Sequence, residues 1–238
     1  MSVFRFKQFD IDQSGVAMKV GTDGVLLGAW AGVEHEASKA LDIGTGTGLI
    51  ALQLAQRFKG LELTAVEWDA EAAFQAKVNA SNSLFTQRIT VVEADVLLWY
   101  HQHRGCFDAV VTNPPYFDES PLTEYNARHI ARQSVYLPLE ALIHAAAFVL
   151  RDGGSLSIII PFERAEALRV IAKNQGFQLR RYCLVKGRKE APVRRVLFDW
   201  VKTEKALVVI REELVLEIDR NLYTEEYRAL TAPFYLNF

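Results

Sequence analysis

The sequence predicts an α/β fold: a seven-stranded, mainly parallel sheet with one antiparallel edge strand and helices on both faces, all in a single domain. Three observations carry this. Short apolar runs alternate with helix-length runs over most of the 238 residues, the pattern of β-α-β crossovers. A glycine turn, Gly44-Thr45-Gly46-Thr47-Gly48, joins a strand-like run to a helix-like run, as in the first unit of a nucleotide-binding sheet. Late in the chain two strand-like runs follow each other without a helix between them, which implies an antiparallel hairpin at one edge.

Taken in order, the first core strand is the buried run Lys39-Ala40-Leu41-Asp42-Ile43, and the apolar stretch from Leu49 opens its helix. The second strand spans 61–66 and ends at Glu67; the third spans 89–94 and ends at Asp95. Both are rich in Val, Ile, Leu and Thr, residues that suit a pleated surface. The fourth ends at Val110-Val111-Thr112. A long polar and basic connection follows over 118–135, then a helix over 139–150 stopped by Arg151-Asp152-Gly153-Gly154. The fifth strand covers 155–160, a helix covers 164–174 and closes at Gly176, and strands six and seven cover 177–185 and 195–202.

The stretch after the fourth strand, Asn113-Pro114-Pro115-Tyr116-Phe117, is the most chemically specific. Consecutive prolines hold φ at about −65° and donate no N–H. The Pro114 carbonyl and the Asn113 side-chain oxygen can therefore both point outward as acceptors. A flat amine offers two hydrogens to such a pair, and accepting both draws its nitrogen toward a tetrahedral, nucleophilic state. Tyr116 or Phe117 would stack on the attached ring, worth about 1–3 kcal/mol per base. Taken alone, the stretch also reads as a rigid turn with an aromatic plug into the core.

The glycine loop departs from the dinucleotide fingerprint. G-x-G-x-x-G would put its third glycine at position 49, where Leu49 stands; here it is Gly48. Following Asp42, this spacing suits a ligand without a pyrophosphate, with Asp42 organising a cationic amino-acid group. S-adenosylmethionine meets that description better than NAD, although such a loop by itself is equally a tight strand-helix turn. Glu67 stands where a nucleoside-binding sheet carries the carboxylate for ribose hydroxyls, and Asp95 where a side chain could accept an adenine amino group. Acids at three successive strand ends, with the amine socket at the fourth, form one constellation.

These motifs resemble the class I S-adenosylmethionine-dependent methyltransferases, in their amino-group branch with Asn-Pro-Pro-Tyr. Residues 17–30, Ala-Met-Lys-Val-Gly-Thr-Asp-Gly-Val-Leu-Leu-Gly-Ala-Trp, and the closing segment 223–236 look like the bacterial tRNA (adenine-N6) methyltransferases that modify the adenine 3′ of the anticodon of a valine tRNA. The resemblance covers nearly the whole chain. It implies a Rossmann-like fold and S-adenosylmethionine as cofactor. Asp42, Gly44, Gly46 and Gly48 would hold its methionine part, Glu67 its ribose, and Asp95 with Val96 its adenine. Thr22 and Asp23 would lie in an N-terminal segment, 1–38, that closes over the cofactor, ahead of a core at 39–203 and an extension at 204–238. Asn113, Pro114, Pro115 and Tyr116 would hold the target base, with Phe117 beside them.

Composition agrees with a catalytic domain that can bury one sizeable core, being 50% hydrophobic. Cys106 and Cys183 lie far apart without metal or redox spacing, which points to a reducing compartment. No run approaches the roughly 20 apolar residues that span a bilayer, so a cytoplasmic protein without a membrane partner is expected. The five histidines are scattered, and no metal is expected. Methyl transfer from a sulfonium expels a neutral thioether, so catalysis should rest on positioning rather than on a general base with a shifted pKa.

A net charge of −2 and a pI of 6.2 lack the global basic footprint of a nucleic-acid binder. Arg180, Arg181, Lys186, Arg188, Lys189, Arg194 and Arg195 nevertheless gather in a short stretch, as a solvated face or a phosphate-binding one. Arg128 and Arg132, four apart and able to share a helical face, are the stronger candidates for RNA phosphate contacts. Three other functions use parts of the same chemistry: ribosomal RNA guanine-N2 methylation, protein glutamine N-methylation and RNA binding without turnover. The glutamine enzymes carry a helical substrate domain before the glycine loop, for which the 43 residues ahead of Gly44 leave no room.

Overall fold

The computed structural model describes residues 3–16, 19–34, 37–115 and 137–237. A hairpin of β1 (Val3–Arg5) and β2 (Asp10–Asp12) leads into helix α1 (Thr22–Trp30). The core then runs β3 (Lys39–Ile43), α2 (Leu49–Arg57), β4 (Glu62–Glu67), α3 (Ala70–Ser81), β5 (Ile89–Glu93), α4 (Val96–Trp99) and β6 (Phe107–Thr112). After the undescribed segment come α5 (Leu139–Val149), β7 (Leu150–Pro161), α6 (Ala165–Asn174), β8 (Phe177–Lys186), β9 (Val193–Lys202) and β10 (Ile210–Val215). A small hairpin of β11 (Glu217–Asp219) and β12 (Leu222–Tyr223) and helix α7 (Glu225–Thr231) close the chain.

The central sheet is mainly parallel and has eight strands, in the order β10-β8-β9-β7-β6-β3-β4-β5. The α/β architecture is as expected, with two corrections of detail. There are eight strands rather than seven, because β10 adds to the edge in parallel with β8. The antiparallel strand, β9, therefore lies inside the sheet between β7 and β8 rather than at its edge. A third difference concerns Arg151-Asp152-Gly153-Gly154, expected as a turn. Phe107 pairs with Leu150 and Ala109 with Ser155, so those four residues bulge out of one long strand, and Gly153 supplies the left-handed φ of 79° the bulge requires.

Strand residues alternate between two cores, as a sheet covered on both faces demands. Ala109, Val111 and Leu197 pack under α1 and α2. Val110, Ile158, Val196 and Phe198 pack under α4, α5 and α6. On the first face α1 meets α2 through glycine: a Cβ at Gly24 would lie 3.0 Å from the Leu49 side chain, and one at Gly28 would lie 2.1 Å from Gln53 Oε1. The residues closing the chain return to its beginning. Phe6 bridges to Tyr235, Lys7 Nζ donates to the Ala232 carbonyl at 2.6 Å, and Phe6 packs on Phe9 and Tyr235.

Candidate active site

Strand register brings the site together. Ile43 pairs with Val66 on one side and Thr112 on the other, and Glu67 pairs with Glu93. The segments leaving β3, β4, β5 and β6 therefore emerge along one edge of the sheet. The crossovers diverge at the β3–β6 seam, and such a switch point opens a crevice at the carboxyl ends of the strands. Gly44 and Asn113 each follow a residue of the Ile43–Thr112 pair, so the glycine loop and the Asn-Pro-Pro segment leave adjacent strands at the same level. Thr112 Oγ1 reinforces the seam by donating to the Ile43 carbonyl at 2.9 Å.

The glycine loop turns on three left-handed residues, Gly44, Gly46 and Gly48, with φ of 70°, 57° and 82°. A side chain at any of them would be strained, and the space before Gly44 and Gly46 is open. The amides of Gly44 and Thr45 donate to the Val66 carbonyl at 2.9 and 3.2 Å, which pins the loop to β4. Asp42 is fully buried beneath it. Its Oδ2 accepts from Thr45 Oγ1 at 2.6 Å, while Oδ1 has no partner among the described residues. Burial pushes this carboxyl up to about 7, opposed by the Thr45 hydrogen bond.

Glu67 is also buried. Oε2 accepts from the Gly46 amide at 2.9 Å, and Oε1 from the amides of Trp68 and Asp69 at 3.0 and 3.1 Å. Burial raises its pKa, and those amides hold it down. A carboxylate offers about four acceptor sites, so Glu67 keeps capacity for a further donor. Asp95 caps α4, its Oδ1 accepting from the Leu97 amide at 2.8 Å, and Val96 is buried behind it.

Thr22 and Asp23 form the first turn of α1, which the close approach of Gly24 to Leu49 sets against the start of α2. Asp23 accepts from Arg195 Nε at 2.7 Å. Asn113 is half-buried, Pro114 buried and Pro115 exposed at the end of β6. Tyr116, Phe117, Arg128 and Arg132 lie outside the described residues. No group of His, Cys, Asp and Glu among the described residues could hold a metal ion, and no described helix is long and apolar enough to cross a membrane.

One positioning residue escaped the sequence reading. The buried Asn79 side chain donates to the Thr47 carbonyl at 2.9 Å and the Asp12 carbonyl at 3.0 Å, and accepts from the Asp12 amide at 3.0 Å. It thereby ties the glycine loop to the N-terminal hairpin. The available signal was an asparagine inside an alanine-rich helix, where that residue is a weak helix former.

The basic stretch divides in two. Arg180 and Arg181 point inward and share the buried Asp199, each with a contact near 3 Å. Arg180 also pairs with Glu34, and Arg181 lies 3.9 Å over the Trp30 ring. Lys186 pairs with Glu213 at 2.8 Å. Arg188, Lys189 and Arg194 are exposed.

Residues 25–178 match the family model described as methyltransferase small domain. The chain is 40% identical over 234 residues to the tRNA1(Val) (adenine(37)-N6)-methyltransferase of Flavobacterium psychrophilum, covering 98% of this chain and 99% of that protein. It is 42% identical over 238 residues to the protein of the same name from Christiangramia forsetii, covering 98% and 97%. Among solved structures it resembles a predicted O-methyltransferase from Agrobacterium tumefaciens, with a TM-score of 0.69, 22% identity and coverage of 89% of this chain and 96% of that one. The likeness to that structure is one of fold.

Proposed function

This chain belongs to the methyltransferase small-domain family and, by similarity along nearly its whole length, to the tRNA1(Val) (adenine(37)-N6)-methyltransferases, and from that premise we propose that it methylates the exocyclic N6 of the adenine 3′ of the anticodon in a valine tRNA, using S-adenosylmethionine. The observation that carries this reading is the Ile43–Thr112 pairing. It sets the Asn-Pro-Pro segment beside the glycine loop, which supports reading the two as an amine socket and a nucleoside-binding cradle of one crevice.

The residues present fit the cofactor. The unpartnered oxygen of Asp42 suits a cationic amino-acid group. The open space before Gly44 and Gly46 admits a closely approaching ligand, and Glu67 keeps acceptor capacity for ribose. In this reading Asp95 and Val96 border the adenine of the cofactor, and Thr22 and Asp23 close over it. S-adenosylmethionine supplies, when bound, a methyl group on a positively charged sulfur.

The target base leaves its stack, which costs little in a single-stranded anticodon loop. Asn113 Oδ1 and the Pro114 carbonyl accept its two N6 hydrogens, Tyr116 or Phe117 stacks on its ring, and Arg128 and Arg132 are the candidates for flanking phosphates. The N6 nitrogen forms the new C–N bond as the methyl C–S bond breaks, and one N6 proton leaves to water. Stabilising the positive charge that develops on nitrogen is then the work of two neutral oxygens.

The test is to incubate the full chain with labelled S-adenosylmethionine and unmodified total tRNA or ribosomal RNA, followed by mass spectrometry of nucleosides. Label in N6-methyladenosine from valine tRNA is expected. Label in N2-methylguanosine from ribosomal RNA would replace this reading with the guanine one.

A further inference from the structure

The sheet does not end level at the crevice. β7 continues three residues past Ile158, the partner of Thr112, and its last residue, Pro161, pairs with Arg195. β9 begins two residues beyond that, at Val193, paired with Lys186 at the end of β8. At ~3.3 Å per residue and ~4.8 Å between strands, the β8–β9 turn stands roughly 10 Å or more above the level of Asn113 and about 10–15 Å to its side. It forms a wall beside the base socket.

The cations of that wall are not equivalent. Arg195 is held by Asp23. Arg194, one residue earlier, is the extra residue of a bulge opposite the Val185–Lys186 step and is exposed. A short 3-10 turn, Phe162–Arg164, continues β7 at the same edge, and its Phe162 is 45% exposed. Lys189 and Arg194 are exposed and have no acidic partner among the described residues, and Arg188 has only an exposed contact with Asp219 at 3.5 Å, a pair of little energetic weight. Glu163, Glu190 and the Asp219 contact offset part of this charge, and Lys189 and Arg194 are the cations left to meet an anion.

We infer that this rim, made by Lys189, Arg194, Arg188 and Phe162, grips the RNA backbone beside the extruded base, the cations on phosphates and Phe162 against a neighbouring unstacked base. The inference rests on the RNA-methylating reading above and names where that substrate is held. It also divides the basic stretch by role: Arg180 and Arg181 serve the fold, and the hairpin tip serves the substrate.

The experiment measures binding of an unmodified valine tRNA transcript to the full chain across a salt series, with methylation kinetics in parallel. For Lys189→Glu with Arg194→Glu, the slope of log affinity against log salt should fall by about two, with the kinetic loss concentrated in KM for tRNA and calorimetric affinity for S-adenosylmethionine unchanged. The milder Lys189→Gln with Arg194→Gln should move the slope in the same direction. Phe162→Ala should weaken binding about tenfold with its salt slope intact. Lys59→Glu with Lys173→Glu, exposed positions at the other end of the sheet, should change neither. A hairpin variant with the wild-type slope and KM overturns the rim. Wild-type chain that binds tRNA but transfers no methyl group overturns the functional reading instead, and the binding arm still judges the rim.

Discussion

At the scale of single residues, Asp42 and Asn113 make opposite demands. Asp42 keeps an unpartnered oxygen buried beneath the glycine loop, and its carboxyl rises from an ordinary 3.8 to about 7. Between those values the folded chain holds a proton that the unfolded chain has released, so this group's contribution to stability declines as pH rises from about 4 to 7 and levels off above. Asp42→Asn should flatten that part of the profile, read by denaturant titration at several pH values. A cationic ligand group favours the carboxylate, so affinity for S-adenosylmethionine should strengthen up to about pH 7 with release of a proton, which calorimetry in buffers of different ionisation enthalpy will detect. Loss of both pH effects in the wild type would remove Asp42 from the cofactor's amino group. Asn113→Ala should slow methyl transfer by on the order of 10²-fold or more while cofactor affinity holds; undiminished single-turnover rates would refute the socket. The acids at strand ends were legible because each closes a run of β-forming residues. Asn79 and Arg195 were not, since their partners lie 67 and 172 residues away and no local pattern encodes them.

At the scale of elements, α1 and α2 approach closely because Gly24 and Gly28 lie four apart on one helical face. Gly28→Ala would drive a methyl group into Gln53, whose amide donates to the Val25 carbonyl at 3.2 Å, and overpacking of this kind costs about 1–3 kcal/mol. Because α1 carries Thr22 and Asp23, the same change should weaken cofactor binding as well as lower the denaturation midpoint. A lower midpoint with unchanged cofactor affinity would detach α1 from the cofactor site. Helix and strand positions were readable from periodicity, but the order of the last strands was not. Alternation shows that β8 and β9 follow each other; it does not say which one pairs with β7. Nor did 151–154 reveal that a glycine bulge continues a strand, since glycine marks turns and bulges alike.

At the scale of the whole molecule, Asp199 joins distant parts. It holds Arg180 and Arg181, which reach Glu34, the Trp30 carbonyl and Glu212, linking the end of α1 to the middle strands and to β10. Removing one member of a buried charge cluster leaves the others uncompensated at a cost of about 3–5 kcal/mol. Asp199→Asn should therefore destabilise the chain by an amount of that order in urea titrations, far more than Asp219→Asn at the exposed Arg188 contact. Similar small effects from both would mean that the cluster is solvated. Local sequence showed a basic stretch, and only the fold shows that part of it is already neutralised.

The bridge between Phe6 and Tyr235 and the bond from Lys7 to the Ala232 carbonyl join positions 225 residues apart in the second case. During synthesis, Phe6 leaves the ribosome long before Tyr235, the ring stacked on it. The hairpin can dock on α3 through Asn79 once that helix has formed, but one side of the Phe6 ring stays open to water and to chaperones until residue 235 is made.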